Sequence, residues 1–362
     1  TVASGALATA AHAQSTGSLD FENDIIVTGS SVDKGVAGVI LPDTSKAKAV
    51  LSQDIIDRQL PGQSVNDLIN LLPGVSFQNN DPFGSAGGTM TIRGFDNTRI
   101  SQTFDGVPLN DSGGYAIYSS QQMDSELIEQ VNVNLGTTDV DSPAAGASGS
   151  TVNYRTRNPY EDFGVKMVGS VGEYGFFRVF GAIDSGTFTP FGTRAFLSAS
   201  KSSNDTLFNN RGKIEKDQYN AKIYQPIGDN GDFISIGAHY NEARNNRFGS
   251  VTLRSDGIGA VPSRFPKTRD ERFYSIGDCT INTVARPGVA DVANSCGSVF
   301  DERINPSNTG NIRINSRFTL AQGLVLTVDP SFQYVRANGG GTAVGQEGYR
   351  DINPAGGTGT YD

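Results

Sequence analysis

Five short segments set the reading of the first half of the chain: DIIVTGS (24–30), SVNDLINLLPGV (64–75), TIRGF (91–95), DGVPL (105–109) and ELIEQVNVNLG (126–136). The second is the plainest. Ser64 can cap a helix whose apolar residues Val65, Leu68, Ile69 and Leu72 fall at i, i+3, i+4 and i+7, which is one helical face. Pro73-Gly74 then ends it, because proline cannot continue the backbone ladder and glycine suits the exit turn. Residues 89–93 alternate as a strand, and Asp105-Gly106 is a tight hairpin-turn signal between Thr103-Phe104 and Val107-Leu109. A second short helix is expected over 124–130, leading into a strand that carries Val131, Val133 and Leu135. A small-residue loop over 141–150 and a last strand over 151–156 complete a compact α+β unit.

Beyond residue 163 the pattern changes to long alternation. Val165, Met167, Gly169 and Val171 alternate with Lys166, Val168, Ser170 and Gly172; Ile234, Ile236, Ala238 and Tyr240 alternate with Ser235, Gly237 and His239. The same holds for Ile312 and Ile314 against Arg313 and Asn315, and for Phe332 and Tyr334 against Ser331 and Gln333. One face suits lipid and the other water, over about the 9–11 residues that a tilted membrane strand needs. Seven strands are expected, at 163–173, 176–185, 193–202, 217–227, 232–244, 310–320 and 324–336. Short turns near 187–192, 228–231 and 321–323 alternate with longer polar loops near 203–216 and 245–307, which is the arrangement of periplasmic turns and extracellular loops. A soluble β-sandwich also alternates and is the competing fold.

Composition narrows the classes further. No apolar run approaches the about 18–20 residues that a membrane-spanning helix requires, whereas a membrane β-barrel averages to a polar composition. Residues 1–157 carry 8 Lys+Arg against 17 Asp+Glu, and residues 158–362 carry 21 of each, so a boundary falls near Asn158-Pro159. An acidic first half and a neutral second half argue against nucleic acid, which needs clustered positive charge. The start, TVASGALATAAHAQ, reads as the end of an export signal cut after Ala11-His12-Ala13, with its charged beginning and initiator Met missing; the alternative is a disordered Ala-rich tail. Export would bring the only two cysteines, Cys279 and Cys296, into a compartment where they can form a disulfide.

Catalytic chemistry finds no residues to carry it. His12 lies in the export signal and His239 on a strand, so neither a histidine-based triad nor a His/Cys zinc cluster is available. Asp139 and Asp141 lack further fixed oxygen ligands for calcium. No cofactor and no metal are expected, and no enzyme.

In order and spacing, the five segments resemble the energy-coupling box and plug domain of TonB-dependent outer-membrane receptors, by motif over roughly 24–158 and by pattern alone over 159–362. The resemblance implies a fold of α+β plug followed by a membrane β-barrel, and a division into an export-signal remnant (1–13), a flexible periplasmic arm (14–45), a plug (46–158) and the first part of a barrel (159–362). Seven strands fall far short of the roughly 22 that close a plugged outer-membrane transporter, so the chain is expected to be a fragment. Asp24, Ile25, Ile26, Val27, Thr28 and Gly29 would form the box, an extended peptide that adds to the sheet of TonB through main-chain hydrogen bonds; the alternative is a strand paired within its own plug. Arg93 and Glu129 are expected at the plug–barrel contact. Many such plugs have Arg-Gly-Pro after the strand at 131–135; here Asn134-Leu135-Gly136 stands instead, which leaves Arg93, with Arg155 or Arg157, to pair with carboxylates of the wall.

Two plug loops, 79–87 and 110–120, would rise toward the extracellular side and offer Asn79, Asp81, Phe83, Tyr115 and Tyr118 to a ligand, or else hold ordinary turn residues. The implied function is active import of a scarce nutrient across the Gram-negative outer membrane: a ferric siderophore, a vitamin, an oligosaccharide or similar. Partners would be TonB with its inner-membrane energising complex, outer-membrane lipid and the nutrient, with no nucleic acid. A passive porin or adhesin barrel, or a soluble secreted β-rich binding protein, stand as the alternatives.

Overall fold

The computed structural model describes residues 47–111, 113–138, 142–144, 146–205, 212–246, 304–338, 350–353 and 357–359. The first part builds two small sheets. One has the order β1-β7-β8-β5-β6, from β1 (Lys48–Ser52), β7 (Ile128–Asn134), β8 (Ser150–Thr156), β5 (Ile100–Phe104) and β6 (Val107–Pro108), with β5 and β8 parallel. The other is β2 (Val75–Asn79), β3 (Gly88–Ile92) and β4 (Phe95–Asp96). Helices α1 (Gln53–Ile56) and α2 (Val65–Ile69) pack on them. The helix at Ser64 forms as expected: Ser64 Oγ accepts from Asp67 N–H, and Asp67 accepts in return from Ser64 N–H. Val65, Leu68, Ile69 and Leu72 are all buried in one core with Ile92, Ile100, Phe104 and Val133. Asp105 (φ 44°) and Gly106 (φ 84°) make the expected two-residue turn with both residues left-handed. Inside, Asn66, Gln102 and Gln122 satisfy one another through three side-chain hydrogen bonds of 2.9–3.0 Å, so their burial carries no orphaned amide.

The expected helix over 124–130 is absent. A single 3-10 turn, Ser125–Leu127, leads directly into β7. Between β7 and β8 the register slips at Glu129: Ile128 faces Thr156 and Gln130 faces Arg155. This β-bulge shifts the parity of alternation, so Leu127, Ile128 and Val131 mimic helical spacing while β1 and β8 pair the segment on both sides. The strands β1 and β2 also lie outside the sequence reading.

The second part is one antiparallel sheet in the order β9-β10-β11-β12-β13-β14, from β9 (Phe163–Val171), β10 (Phe177–Ser185), β11 (Arg194–Asp205), β12 (Lys213–Ile227), β13 (Asp232–Asn246) and β14 (Ile304–Ala321). β15 (Leu324–Leu326) and β16 (Ser331–Ala337) both pair with β14, and among the described residues the sheet does not close on itself. They divide the expected strand 324–336 in two, because Pro330 has no N–H for the ladder. Side chains bridge the gap: Ser316 N–H donates to Asp329 Oδ1 (2.8 Å), and Ser316 Oγ donates to the Val328 carbonyl (2.7 Å). The alternation is borne out with its polarity inverted relative to a soluble core. Val165, Met167, Leu197, Tyr219, Ile236 and Ile312 face outward and exposed, while Arg178, Asp184, Gln218, Lys222, His239 and Arg313 are buried against the plug. An apolar outer face around a polar interior is the pattern of a membrane barrel wall. The longest expected loop, 245–307, gives up its ends to β13 and β14, and its remainder with Cys279 and Cys296 lies outside the described residues, as does the segment Asp24–Gly29.

Candidate functional site

Three buried ion-pair clusters fasten the plug to the wall. In the first, Arg178 of β10 binds Glu126 with both terminal nitrogens (2.6 and 2.9 Å) and Asp124 with one (3.2 Å). Ser200 Oγ donates to the second Asp124 oxygen (2.6 Å), and Gln218 accepts from Asp124 N–H (3.0 Å). The Gln122 carbonyl just before accepts from Lys216 Nζ (2.9 Å) and Gln218 Nε2 (2.5 Å). Gly62 gives the guanidinium room: a Cβ there would come within 2.6 Å of Arg178 Cδ and Nε.

The second cluster sits at the hairpin tip. Arg313 of β14 reaches Asp105 Oδ2 through Nε (2.7 Å) and through a terminal nitrogen (2.6 Å), with its guanidinium 4.1 Å above the Phe104 ring. Thr156 adds its N–H (2.8 Å) and hydroxyl (2.6 Å) to the same carboxylate, and Lys222 Nζ donates to the Thr156 and Arg157 carbonyls. Burial alone would raise the Asp105 pKa, but the charges of Arg313 and Lys222 and the Thr156 hydrogen bonds outweigh it and hold the carboxyl below its ordinary range. The third cluster runs the other way. Arg157, at the end of the plug, makes a two-pronged pair with Asp184 of β10 (2.7 and 2.8 Å), sandwiched between Tyr160 and Phe196. Planar, five-donor arginine suits such forked, desolvated contacts better than lysine does.

The residues expected at this contact sit elsewhere. Arg93 is exposed, at φ 49°, with its side chain lying over Gly136 and Gly74; no ion pair joins it to a described residue. Glu129, on the bulge, lies 3.6 Å from Arg155 on the adjacent plug strand. Of the three arginines offered for the contact, Arg157 pairs with a described wall carboxylate, Asp184. The acids that matter, Asp105, Asp124 and Glu126, read in sequence as turn and helix-start residues. Their signal was the charge imbalance itself: an acidic first half, and arginines and lysines at the inward positions of the alternating strands.

The five expected ligand residues divide into two groups. Asn79 donates to Asp67 at the α2 cap. Asp81 is buried, its pKa raised by desolvation, and accepts from Phe83 N–H (3.1 Å) and Ala86 N–H (2.8 Å), which holds the 79–87 loop in shape. Phe83 stacks on Phe176 of the β9–β10 connection, centroids 3.8 Å apart, so these three serve the loop and its seat on the wall. Tyr115 and Tyr118 instead line a cavity of about 670 Å3 between the plug and the inner side of β14 and β16, together with Asn110, Asp111, Gln121 and Gln333.

Fold and interface together define a plug seated against a wall of antiparallel outer-membrane-type strands. Residues 41–150 match the TonB-dependent Receptor Plug Domain family. Among solved structures, the chain is similar to the ferripyoverdine receptor of the outer membrane of Pseudomonas aeruginosa bound to ferripyoverdine (16% identity, TM-score 0.58, 82% of this chain and 37% of that one). It is similar also to the ferric-catecholate import receptor Fiu from E. coli K12 in its open form (18%, 0.57, 82% and 39%) and to the siderophore receptor PiuA from Acinetobacter baumannii (14%, 0.56, 82% and 37%). At these identities the likeness is one of fold, and the chain spans under two fifths of the length of these three receptors. No curated protein matches it in sequence.

Proposed function

We propose that the chain belongs to an energised importer of the outer membrane, in which a nutrient binds beside the plug and TonB, driven by the inner-membrane complex, pulls on residues 24–29 to loosen it. The observation that carries this reading is the plug itself, a folded α+β unit fixed across the polar face of the wall by Arg178, Arg313 and Arg157. A passive porin or adhesin has no use for a fastened plug. The division into arm (14–45), plug (46–158) and wall (159–362) belongs to the same reading, with outer-membrane lipid on the apolar face and the arm in the periplasm. No covalent change to the nutrient is part of it. The solved structures of nutrient receptors that share this fold support import of a scarce nutrient in general.

The test uses the full-length receptor in cells. A docking strand depends on its main-chain hydrogen bonds, so Ile26→Pro, which removes a donor and fixes φ, should abolish energy-dependent uptake while ligand binding to whole cells survives. Ile26→Val should leave uptake nearly unchanged, because β propensity is kept. Undiminished uptake with Ile26→Pro would return the passive barrel as the better account.

A further inference from the structure

The cavity at Tyr115 and Tyr118 is built, and its chemistry is selective. Asn110 Oδ1 accepts from Gln102 N–H (2.8 Å), and its Nδ2 donates to the carbonyls of Ile100 (2.7 Å) and Tyr115 (3.0 Å). Asp111 N–H closes the loop on the Ala116 carbonyl (2.9 Å). Tyr115 is held at φ 57°, a conformation that a bulky side chain adopts only where its surroundings enforce it. Its ring rests on Gly146, where a Cβ would come within 2.8 Å of Tyr115 Cδ2. Strain of this kind clusters at binding sites, and here it lies on a residue that lines the cavity.

Tyr118 is 42% exposed, and its hydroxyl donates to Asp111 Oδ2 (3.1 Å). Asp111 Oδ1 accepts from Gly113 and Gly114 N–H (2.9 and 2.6 Å). Its slight burial would raise the carboxyl pKa, but those amides and the Tyr118 hydroxyl outweigh it, so the group is a carboxylate at neutral pH. Gln121 and Gln333 contribute amides, while Pro108, Leu109 and Val335 contribute apolar surface; none of the described lining residues is lysine, arginine or histidine.

Resting on the import reading above, we propose that this cavity takes an uncharged, hydroxyl-rich ligand of the oligosaccharide class, stacked on Tyr118 with hydroxyls donated to Asp111 and the amides. The apolar C–H face of a sugar ring fits an aromatic face, and its hydroxyls fit carboxylate and amide acceptors. An anionic metal chelate meets a negative charge here with no described cation to offset it.

The test is saturation-transfer NMR on the intact full-length receptor in a sugar-free detergent. The probes are maltoheptaose and xylohexaose at millimolar concentration, and the gallium(III) complex of a tris-catechol, a diamagnetic trianion. Ring protons of at least one sugar should receive saturation, with affinity reduced about tenfold by Tyr118→Ala and retained by Tyr118→Phe, which keeps the stacking face. The trianion should receive none. The inference is overturned if neither sugar responds, if Tyr118→Ala leaves the sugar signal unchanged, or if the trianion binds as tightly as the sugars. Uptake in cells separates the two readings: a trianion that binds and enters only when Ile26 is intact overturns this inference and leaves the import reading standing. A sugar that binds but whose uptake ignores Ile26→Pro does the reverse.

Discussion

The two halves of the plug are attached to the wall in different ways. From Ile100 to Arg157, three buried ion pairs fasten it among the described residues, Arg178 on Asp124 and Glu126, Arg313 on Asp105, and Arg157 on Asp184, with neutral hydrogen bonds from Gln218, Asn315 and Gln333 to plug carbonyls beside them. From Lys48 to Asp96 the described contacts with the wall include an exposed Lys166–Asp57 pair (3.3 Å), a Gln53–Tyr160 hydrogen bond (3.3 Å), an Asn245–Ser85 hydrogen bond (3.3 Å), the Phe83–Phe176 stack and the seat of Arg178 on Gly62. β1 is an edge strand, held by five residue pairs to β7, and it is the described element nearest in sequence to the arm. Under the import reading proposed above, a pull on the arm would load β1 first and reach the anchored half through its pairing with β7.

The largest effect expected from this contrast is at Arg178. Arg178→Ala leaves two buried carboxylates uncompensated, a loss of about 3–5 kcal/mol by comparison with other broken buried pairs. Hydrogen exchange of the full-length receptor should then show residues 122–134 opening far more often, with residues 88–92 little changed. Equal loosening of both segments would end the distinction between the halves.

Acid should act on the halves with opposite signs. Asp105 has a depressed folded pKa, so its contribution is complete above the ordinary carboxylate pKa of about 3.9 and is lost as pH falls through the folded value. Asp81 has a raised folded pKa, so its loop is most stable below that ordinary value and loses stability as pH rises through the folded one. Between pH 7 and pH 4, exchange corrected for intrinsic rate should show 79–87 tightening while the Asp105 turn holds. Asp81→Asn should flatten the first trend. A turn at Asp105 that loosens before pH 4 contradicts the account.

The smallest effect belongs to Lys166. Both partners of its pair with Asp57 are more than a third exposed, so Lys166→Ala should shift thermal stability by no more than roughly 1 kcal/mol, and less in high salt. A loss as large as that at Arg178 would mean that the lightly held half is not so.

What could be read in the sequence followed local rules. The cap at Ser64, the Asp105-Gly106 turn and the in-out alternation of Ile234–Tyr240 each depend on residues a few positions apart, and each formed. What escaped reading depends on distance or on parity. Arg313 lies 208 residues from Asp105, and Arg178 lies 52 from Glu126, so no spacing rule links them. One extra residue at Glu129 was enough to make a strand resemble a helix. Of the candidate site, Tyr115 and Tyr118 could be picked out as aromatics in a polar loop. Phe83, an aromatic in the neighbouring loop, and the carboxylate Asp81 turned out to hold their own loop instead.

The Asp105 turn has a consequence for the order in which the molecule comes together. Its shape is set locally, by two left-handed residues and the pairing of Phe104 with Val107. A hairpin of this kind closes within about 1–10 microseconds, whereas the pair with Arg313 spans 208 residues of chain and forms only once the wall strand is laid against the plug. The carboxylate is thus aimed by a local turn, and the distant strand docks on a socket already cut. Asparagine or glycine could fill the turn, and glutamate could supply the charge. Aspartate does both, so timing and attachment are written into one residue.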